Sequence, residues 1–397
     1  MINTEKKNDL NIVIIAYFYP PEYSGAGKQF SLLASELIKM KNVSSISILT
    51  KSKNNRFCEE KIGDVNIYRF PLLGEETSFI NSASFAFNVL RHVISNQKKY
   101  NVLQFINISS FVYLIIFALK IIPNNIRLFA RISLLGGDDL KTIEKTRYGK
   151  FKIKLLSSID GVVSTSEAIT SCSRKTNFIG NLFDIGNTVD SDLYKPVANN
   201  FEKKIIRNKL DLDDNVFIAS FSGAFIERKG FDFLIKSWEV FIKSYPDSIL
   251  LLIGFEVEDQ KSYDSSFLTR AKSFITNMDN YRFISSERIN DYLSCSDVFL
   301  FPSLMEGVPN SVVEAKASGL PVVVRKKPWV TVFLVENEYD GLVVESDSYD
   351  DFAEAIITLA KNNELAAEYG IRARNKVENK LKRSKIAGKY IHMYLNK

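Results

Sequence analysis

Twice along the chain a short, continuously apolar run is followed by a loop and then by a segment of helical period. "NIVIIAY" (11–17) opens the first series and "NVFIASFSG" (215–223) opens the second. Unbroken apolar strands are covered on both faces, which places them in parallel sheets flanked by helices. Further strand candidates in the first series are 44–50, 65–70, 101–106, 126–132 and 161–165. In the second they are 248–254, 281–285, 297–303, 320–324 and 341–345. Helix-period segments such as "FDFLIKSWEVFIKSY" (231–245) lie between them. The alternation predicts an α/β protein, and two series predict two Rossmann-like, doubly wound domains. With 397 residues the chain has the length for both.

The join falls in "DIGNTVDSDLYKPVANN" (184–200), which is polar, contains proline and is weakly periodic. The expected organisation is an N-terminal domain over 1–184, a linker over 185–200 and a C-terminal domain over 201–378. The basic helical tail, 379–397, is expected to pack back on the N-terminal domain. Three scattered cysteines, without CxxC or His-rich spacing, argue against a disulfide framework or zinc site and fit a reducing cytoplasm. The polar start "MINTEKKNDL" does not read as a signal peptide. "FVYLIIFALKII" (111–122) is too short to span a bilayer and is interrupted by Lys120, so it reads as a buried helix. A formal charge of +6 favours anionic partners, and no nucleic-acid readout motif accompanies it.

Doubly wound sheets bind ligands outside the carboxyl ends of their strands. The informative loops are therefore 18–27, 133–139, 222–230, 254–260, 284–287 and 303–311. In "FSGAFIERKG" (221–230) a strand ends at Ser222 and Gly223, and the next helix is entered through Arg228 and Lys229. Two adjacent cations there can meet a diphosphate, through charged hydrogen bonds of roughly 1.5–3 kcal/mol each. A solvated Arg-Lys pair before a helix would look the same. In "SLMEGVPNSVVEAKASGLPVVV" (303–324) two glutamates, Glu306 and Glu314, flank a Gly/Pro break. Ser311 and Glu314 match a capping box, which gives Glu314 a structural reason. Glu306, beside Gly307 and Pro309, has none.

The same stretch resembles the C-terminal signature of the GT4 family of retaining, nucleotide-sugar-dependent glycosyltransferases, with Glu306 and Glu314 on the two glutamates of its E-x7-E motif. "NTVDSDLYKP" (187–196) is similar to the family's interdomain segment, with Thr188 in place of glycine. "SGAFIERKG" resembles its phosphate loop, "YFYPPEYSGAGKQ" (17–29) its N-terminal Gly-rich loop, and "ENEYDGLVVESDS" (336–348) its late strand. The resemblance covers nearly the whole chain and implies the GT-B fold, two Rossmann-like domains facing a deep interdomain cleft.

Carried onto this sequence, the resemblance implies that Glu314 bonds the ribose of the donor nucleotide and Glu306 the donor sugar. Gly307, Val308, Pro309, Asn310, Ser311 and Val312 would present backbone to the sugar or diphosphate. Lys229 would hold the diphosphate beside Ser222 and Gly223, Ile284 would face the base, and Gly25 and Gly27 would close on the phosphates. Glu306, Lys229 and Arg228 are the catalytic candidates. The family's usual arginine is Ala224 here, and Arg228 is the nearest substitute. The family's N-domain histidine has no counterpart after a predicted strand, since the only histidines are His92 and His392.

The implied reaction moves a sugar from a UDP- or GDP-sugar to a glycan or lipid-linked acceptor with retention, as in bacterial surface polysaccharide assembly. Asp138 and Asp139 could be a metal-binding pair or could orient the acceptor, or an aspartate there could cap the helix at 140. No metal or other cofactor is expected. "KTIEKTRYGKFKIKLL" (141–156) carries six cations and one anion and is either a solvated basic face or a contact with an anionic membrane. "FINSASFAFNVLRHVI" (79–94) suits an acceptor groove or the core equally. The alternatives are a UDP-sugar epimerase of the same fold, against which the scarcity of histidine argues, and a nucleotide-sugar-binding protein without turnover.

Overall fold

The computed structural model describes residues 9–22, 24–75, 78–225, 227–254, 279–285, 288–330 and 333–396. The chain divides into two units, one running to Thr188 and resuming at Arg383, the other spanning Val189–Lys382.

The first unit is built on eight strands: β1 (Leu10–Ile15), β2 (Val43–Lys51), β3 (Cys58–Ile62), β4 (Val65–Phe70), β5 (Val102–Phe105), β6 (Arg127–Ile132), β7 (Gly161–Ser164) and β8 (Leu182–Asp184). Their order is β3-β4-β2-β1-β5-β6-β7-β8. Every pairing is parallel except the β3–β4 hairpin. The apolar runs supply the central strands, and Ile12, Val13, Ile14 and Ile15 of β1 are fully buried. β3 and β8 were not anticipated. β3 reads "CEEKI" and is almost wholly exposed, so it has no buried face to leave a pattern; β8 has three residues.

Six helices cover this sheet: α1 (Gly25–Leu37), α2 (Phe79–Ser95), α3 (Ser110–Ile121), α4 (Leu140–Glu144), α5 (Gly149–Ser157) and α6 (Glu167–Ser173). The basic stretch 141–156 is divided between α4 and α5, broken at Tyr148, whose φ of 62° is left-handed. The apolar 111–122 run is α3, with Phe111, Val112, Ile115 and Ile116 buried.

The second unit has six parallel strands: β9 (Phe217–Ser222), β10 (Ser248–Ile253), β11 (Tyr281–Ile284), β12 (Val298–Phe301), β13 (Val322–Arg325) and β14 (Gly341–Val344). They are ordered β11-β10-β9-β12-β13-β14. Around them lie α7 (Asn200–Lys209), α8 (Phe231–Ile242), α9 (Ile289–Cys295), α10 (Asn310–Ala317), α11 (Tyr349–Lys361) and α12 (Asn363–Lys380). Arg374 of α12 holds the start of this unit in place by donating to the carbonyls of Ser191 and Tyr194 and to that of Ala317 at the end of α10.

The last helix, α13 (Arg383–Leu395), belongs to the first unit. Tyr390 meets Phe30 of α1 edge-on at 5.9 Å, and Tyr394 donates to Gln104 of β5 at 3.0 Å. No helix among the described residues is long and apolar enough to cross a membrane.

Strand order reverses direction in each sheet, between β1 and β5 in the first and between β9 and β12 in the second. Chains leaving adjacent strands at such a point diverge to opposite faces and leave room for a ligand.

Candidate functional site

At the second switch point the loop after β9 carries Arg228 and Lys229, and the loop after β12 carries Glu306. The register aligns Phe299 with Ser220, so both strands end at the same level. Gly223 and Gly254 continue the ladder beyond the strands, donating to Ile253 and Ile284 at 3.0 and 2.9 Å. Ser222, Gly223 and Ile284 therefore share this edge.

Residues 227–229 form one turn of 3-10 helix. Gly230, with φ of 72°, then turns the chain into α8. A Cβ at Gly230 would stand 2.4 Å from the Pro302 carbonyl oxygen, so the two loops touch backbone to backbone. Leu304 N–H donates to the Arg228 carbonyl at 2.9 Å and sets their relative height.

Within that frame Lys229 Nζ donates to Glu306 Oε1 at 2.7 Å. Arg228 reaches the same oxygen at 3.2 Å and the Met305 carbonyl at 2.6 Å. Ser303 Oγ lies 2.8 Å from Glu306 Oε1, and Trp329 Nε1 donates to the Ser303 carbonyl at 3.2 Å. Lys229 also stands over the Phe301 ring at 5.1 Å. Burial pushes the Lys229 ammonium below its ordinary range, opposed by Glu306 and reinforced by Arg228. Two cations against one carboxylate leave a net positive site, suited to an anion such as a diphosphate.

Glu306 thus has a structural duty that the sequence did not reveal: it is buried and holds both cations. The capping box is also corrected. α10 starts at Asn310 with Pro309 as its cap and no capping side chain, so Ser311 lies inside the helix. Glu314 sits past the first turn and is buried, as are Val312, Val313 and Ala315. Gly307, Val308 and Pro309 are buried, while Asn310 and Ser311 are half-buried at the helix entrance.

Gly25 and Gly27 do not lie in a loop. They form the first turn of α1, capped by Ser24, whose Oγ accepts from Gly27 N–H at 3.1 Å. A Cβ on Gly27 would come within 2.6 Å of the Phe18 carbonyl oxygen, so this glycine permits close packing of the preceding loop.

Asp138 and Asp139 are engaged within their own loop. Asp138 accepts from the backbone N–H groups of Ser133 and Leu134 at 2.8 and 2.7 Å, and burial raises its carboxyl above the usual range. Asp139 caps α4, accepting from Thr142 N–H at 3.0 Å and Gly136 N–H at 2.6 Å. Among the described residues no group of three or more His, Cys, Asp or Glu is placed to hold a metal. His92 lies on α2 against Tyr68 and Tyr100, and His392 lies on α13. Residues 255–260 and 286–287, in two of the candidate loops, lie outside the described residues.

Sequence reasoning missed Ser303 and Trp329. Ser303, three residues before Glu306, was within the quoted stretch but carried no pattern of its own. Trp329 acts from the loop after β13, with no local signal at all.

Residues 202–376 match the family model described as "Glycosyl transferases group 1". The chain is 29% identical over 222 residues to the UDP-Gal:alpha-D-GlcNAc-diphosphoundecaprenol alpha-1,3-galactosyltransferase of Escherichia coli, covering 54% of each chain. It is 29% identical over 266 residues to the capsular polysaccharide biosynthesis glycosyltransferase CapM of Staphylococcus aureus, covering 63% of this chain and 66% of that one. The aligned region spans between about half and two thirds of the length of these curated relatives. The fold is similar to that of sucrose-phosphate synthase from Thermosynechococcus elongatus, with a TM-score of 0.78 at 18% identity over 97% of this chain and 98% of the other. The architecture is GT-B, two parallel-sheet α/β domains.

Proposed function

We propose, for a chain whose residues 202–376 belong to the group 1 glycosyl transferases, that it transfers a sugar from a nucleoside-diphosphate sugar to a glycan or lipid-linked acceptor. The observation that carries this reading is the cluster of Arg228, Lys229 and Glu306 at the switch point of the second sheet, with Glu306 four residues before α10 begins. The E. coli relative's name supports a UDP-sugar donor and a lipid-diphosphate acceptor, with a GDP-sugar the other candidate. The S. aureus relative's name supports a place in surface polysaccharide assembly.

Breaking the bond between the anomeric carbon and the donor phosphate leaves the electron pair on the phosphate oxygen and positive charge on the sugar. Lys229 and Arg228 stabilise that leaving group, helped by the N–H groups of Asn310, Ser311 and Val312 in the first turn of α10. As the acceptor oxygen bonds the anomeric carbon from the same face, its proton passes to the departing phosphate oxygen, and configuration is retained. Glu306, held by two cations, keeps Lys229 in place and meets donor sugar hydroxyls with its remaining capacity. That engagement favours this route over one in which a protein carboxylate attacks the sugar. Glu314 holds the ribose.

The test is thermal shift and slow donor hydrolysis of the purified protein across a panel of UDP- and GDP-sugars. Stabilisation and hydrolysis with one of them names the donor. Indifference to all of them removes the proposal.

A further inference from the structure

α2, α3 and α5 cover one side of the first sheet around a shared core that includes Phe85, Phe111, Ile115, Ile153 and Leu156. The outward side of the same layer is apolar as well. Ile80, Phe87, Phe117, Ile121, Tyr148 and Phe151 are each more than half exposed. Ile80 and Phe87 are seven residues apart on α2, and Phe117 and Ile121 four apart on α3, so each pair forms a stripe along its helix. Lys152 of α5 stands 5.5 Å over the Tyr113 ring of α3, one turn before Phe117, which joins the two helices at this surface.

The charges on the layer are one-sided. Residues 79–95 and 110–121 contain no Asp or Glu, and 140–157 contain only Glu144. Against it stand eight Lys and Arg: Arg91, Lys120 and six within 140–157. An ordinary solvated helix face mixes both signs and keeps large apolar side chains scattered. Exposed aromatic and aliphatic groups set among cations, with almost no anions, are complementary to a bilayer interface bearing negative headgroups.

We propose that the outer face of α2, α3 and α5 docks on an anionic lipid bilayer. The apolar side chains enter the interface and the lysines and arginines meet lipid phosphates. This deepens the lipid-linked acceptor reading, since it brings the first unit to where such an acceptor resides, but docking itself requires no donor chemistry. It also widens the contact beyond 141–156 to two helices whose sequences carry one cation each.

The experiment is flotation of the full chain with vesicles of phosphatidylcholine and phosphatidylglycerol, and with phosphatidylcholine alone, at low and high salt. Binding is expected with the anionic vesicles only, falling at least tenfold in 1 M salt, where the screening length shrinks to about 3 Å. Phe117→Ser with Phe151→Ser, and separately Lys150→Glu with Lys154→Glu, should each weaken binding about tenfold or more while donor hydrolysis stays at the wild-type rate. No flotation, equal flotation with neutral vesicles, or unaltered binding by both double variants would overturn the proposal. So would a dimer in solution that the Phe117→Ser, Phe151→Ser variant converts to monomer, because a second copy would then cover the face. Absence of donor hydrolysis in the wild type would instead count against the glycosyltransferase reading and leave the vesicle result standing.

Discussion

Lys229 and Glu306 lie 77 residues apart in sequence and meet at 2.7 Å, from the loops of two neighbouring parallel strands. The pair is nearly enclosed, with side chains 14% and 9% exposed. A contact of this burial is not a surface ion pair of marginal worth, because removing one member strands the other charge in a poorly solvated place. The proposed binding role and local stability are therefore tied together at this point.

Lys229→Ala should lower turnover by about 10²–10³-fold, the range seen when one donor to a developing negative charge is removed. Glu306 keeps Arg228 as a partner, so the fold should survive, as circular dichroism would show. Glu306→Ala should also abolish transfer but destabilise by about 3 kcal/mol, because Lys229 loses its carboxylate. Glu306→Gln retains an acceptor for Lys229 and should be the milder variant in urea unfolding. Near-wild-type turnover in both alanine variants would remove these residues from the mechanism.

The pH dependence has a defined sign. Burial and Arg228 lower the Lys229 pKa while Glu306 opposes them, and the net shift is downward. If protonated Lys229 stabilises the leaving diphosphate, turnover should fall as pH rises, with a limb below the ordinary lysine value of about 10.4. Lys229→Arg should move that limb to higher pH, since guanidinium does not titrate there. A limb unmoved by the arginine would belong to another group.

Most of the architecture was legible because it rests on apolar runs. Twelve strand candidates drawn from those runs correspond to β-strands, whereas β3, with an exposed pattern, and β8, with three residues, left no such trace. Of the site, the residue types at strand ends could be named, but not how they engage one another. Glu306 looked free of structural work because its partners come from another loop. Glu314 looked like a cap because the local pattern fits one, yet the helix is capped at Pro309, two residues earlier than that box requires. Gly25 and Gly27 looked like loop because glycine is a poor helix former, but Ser24 caps the turn they form.

Gly230→Ala should damage the site without touching a charged group. Its left-handed φ costs a side chain about 1 kcal/mol or more, and the added Cβ would collide with the Pro302 carbonyl oxygen. The loop bearing Glu306 must then shift away from Lys229. The expected result is a loss of about 2 kcal/mol or more in unfolding free energy and at least a tenfold fall in turnover. An alanine variant with full activity would show that the two loops move independently.

A second buried charge cluster lies on the far half of α10 and makes a separate prediction. Lys316 Nζ donates to the Leu334 carbonyl and, at 3.0 Å, to Asp340 Oδ2; Lys376 pairs with the same aspartate. Glu336 N–H donates to Asp340 Oδ1 at 2.9 Å. Lys316 is 2% exposed and Asp340 fully buried. Burial pushes Lys316 down to about 8, with Asp340 opposing and Lys376 adding to the fall. In the unfolded chain the lysine titrates near 10.4, so between these values the folded state binds fewer protons and stability rises with pH. That contribution, up to about 3 kcal/mol, is complete above the unfolded value and lost as pH falls through about 8. Lys316→Met should flatten this rise in urea unfolding at pH 7, 8.5 and 10, with modest loss at pH 7 because Asp340 keeps Lys376. Asp340→Asn leaves two lysines without their carboxylate and should cost about 3–5 kcal/mol at pH 7. If Lys316→Met keeps the wild-type slope, the titrating group is Lys376 or lies elsewhere, and the cluster does not set the alkaline stability of the second unit.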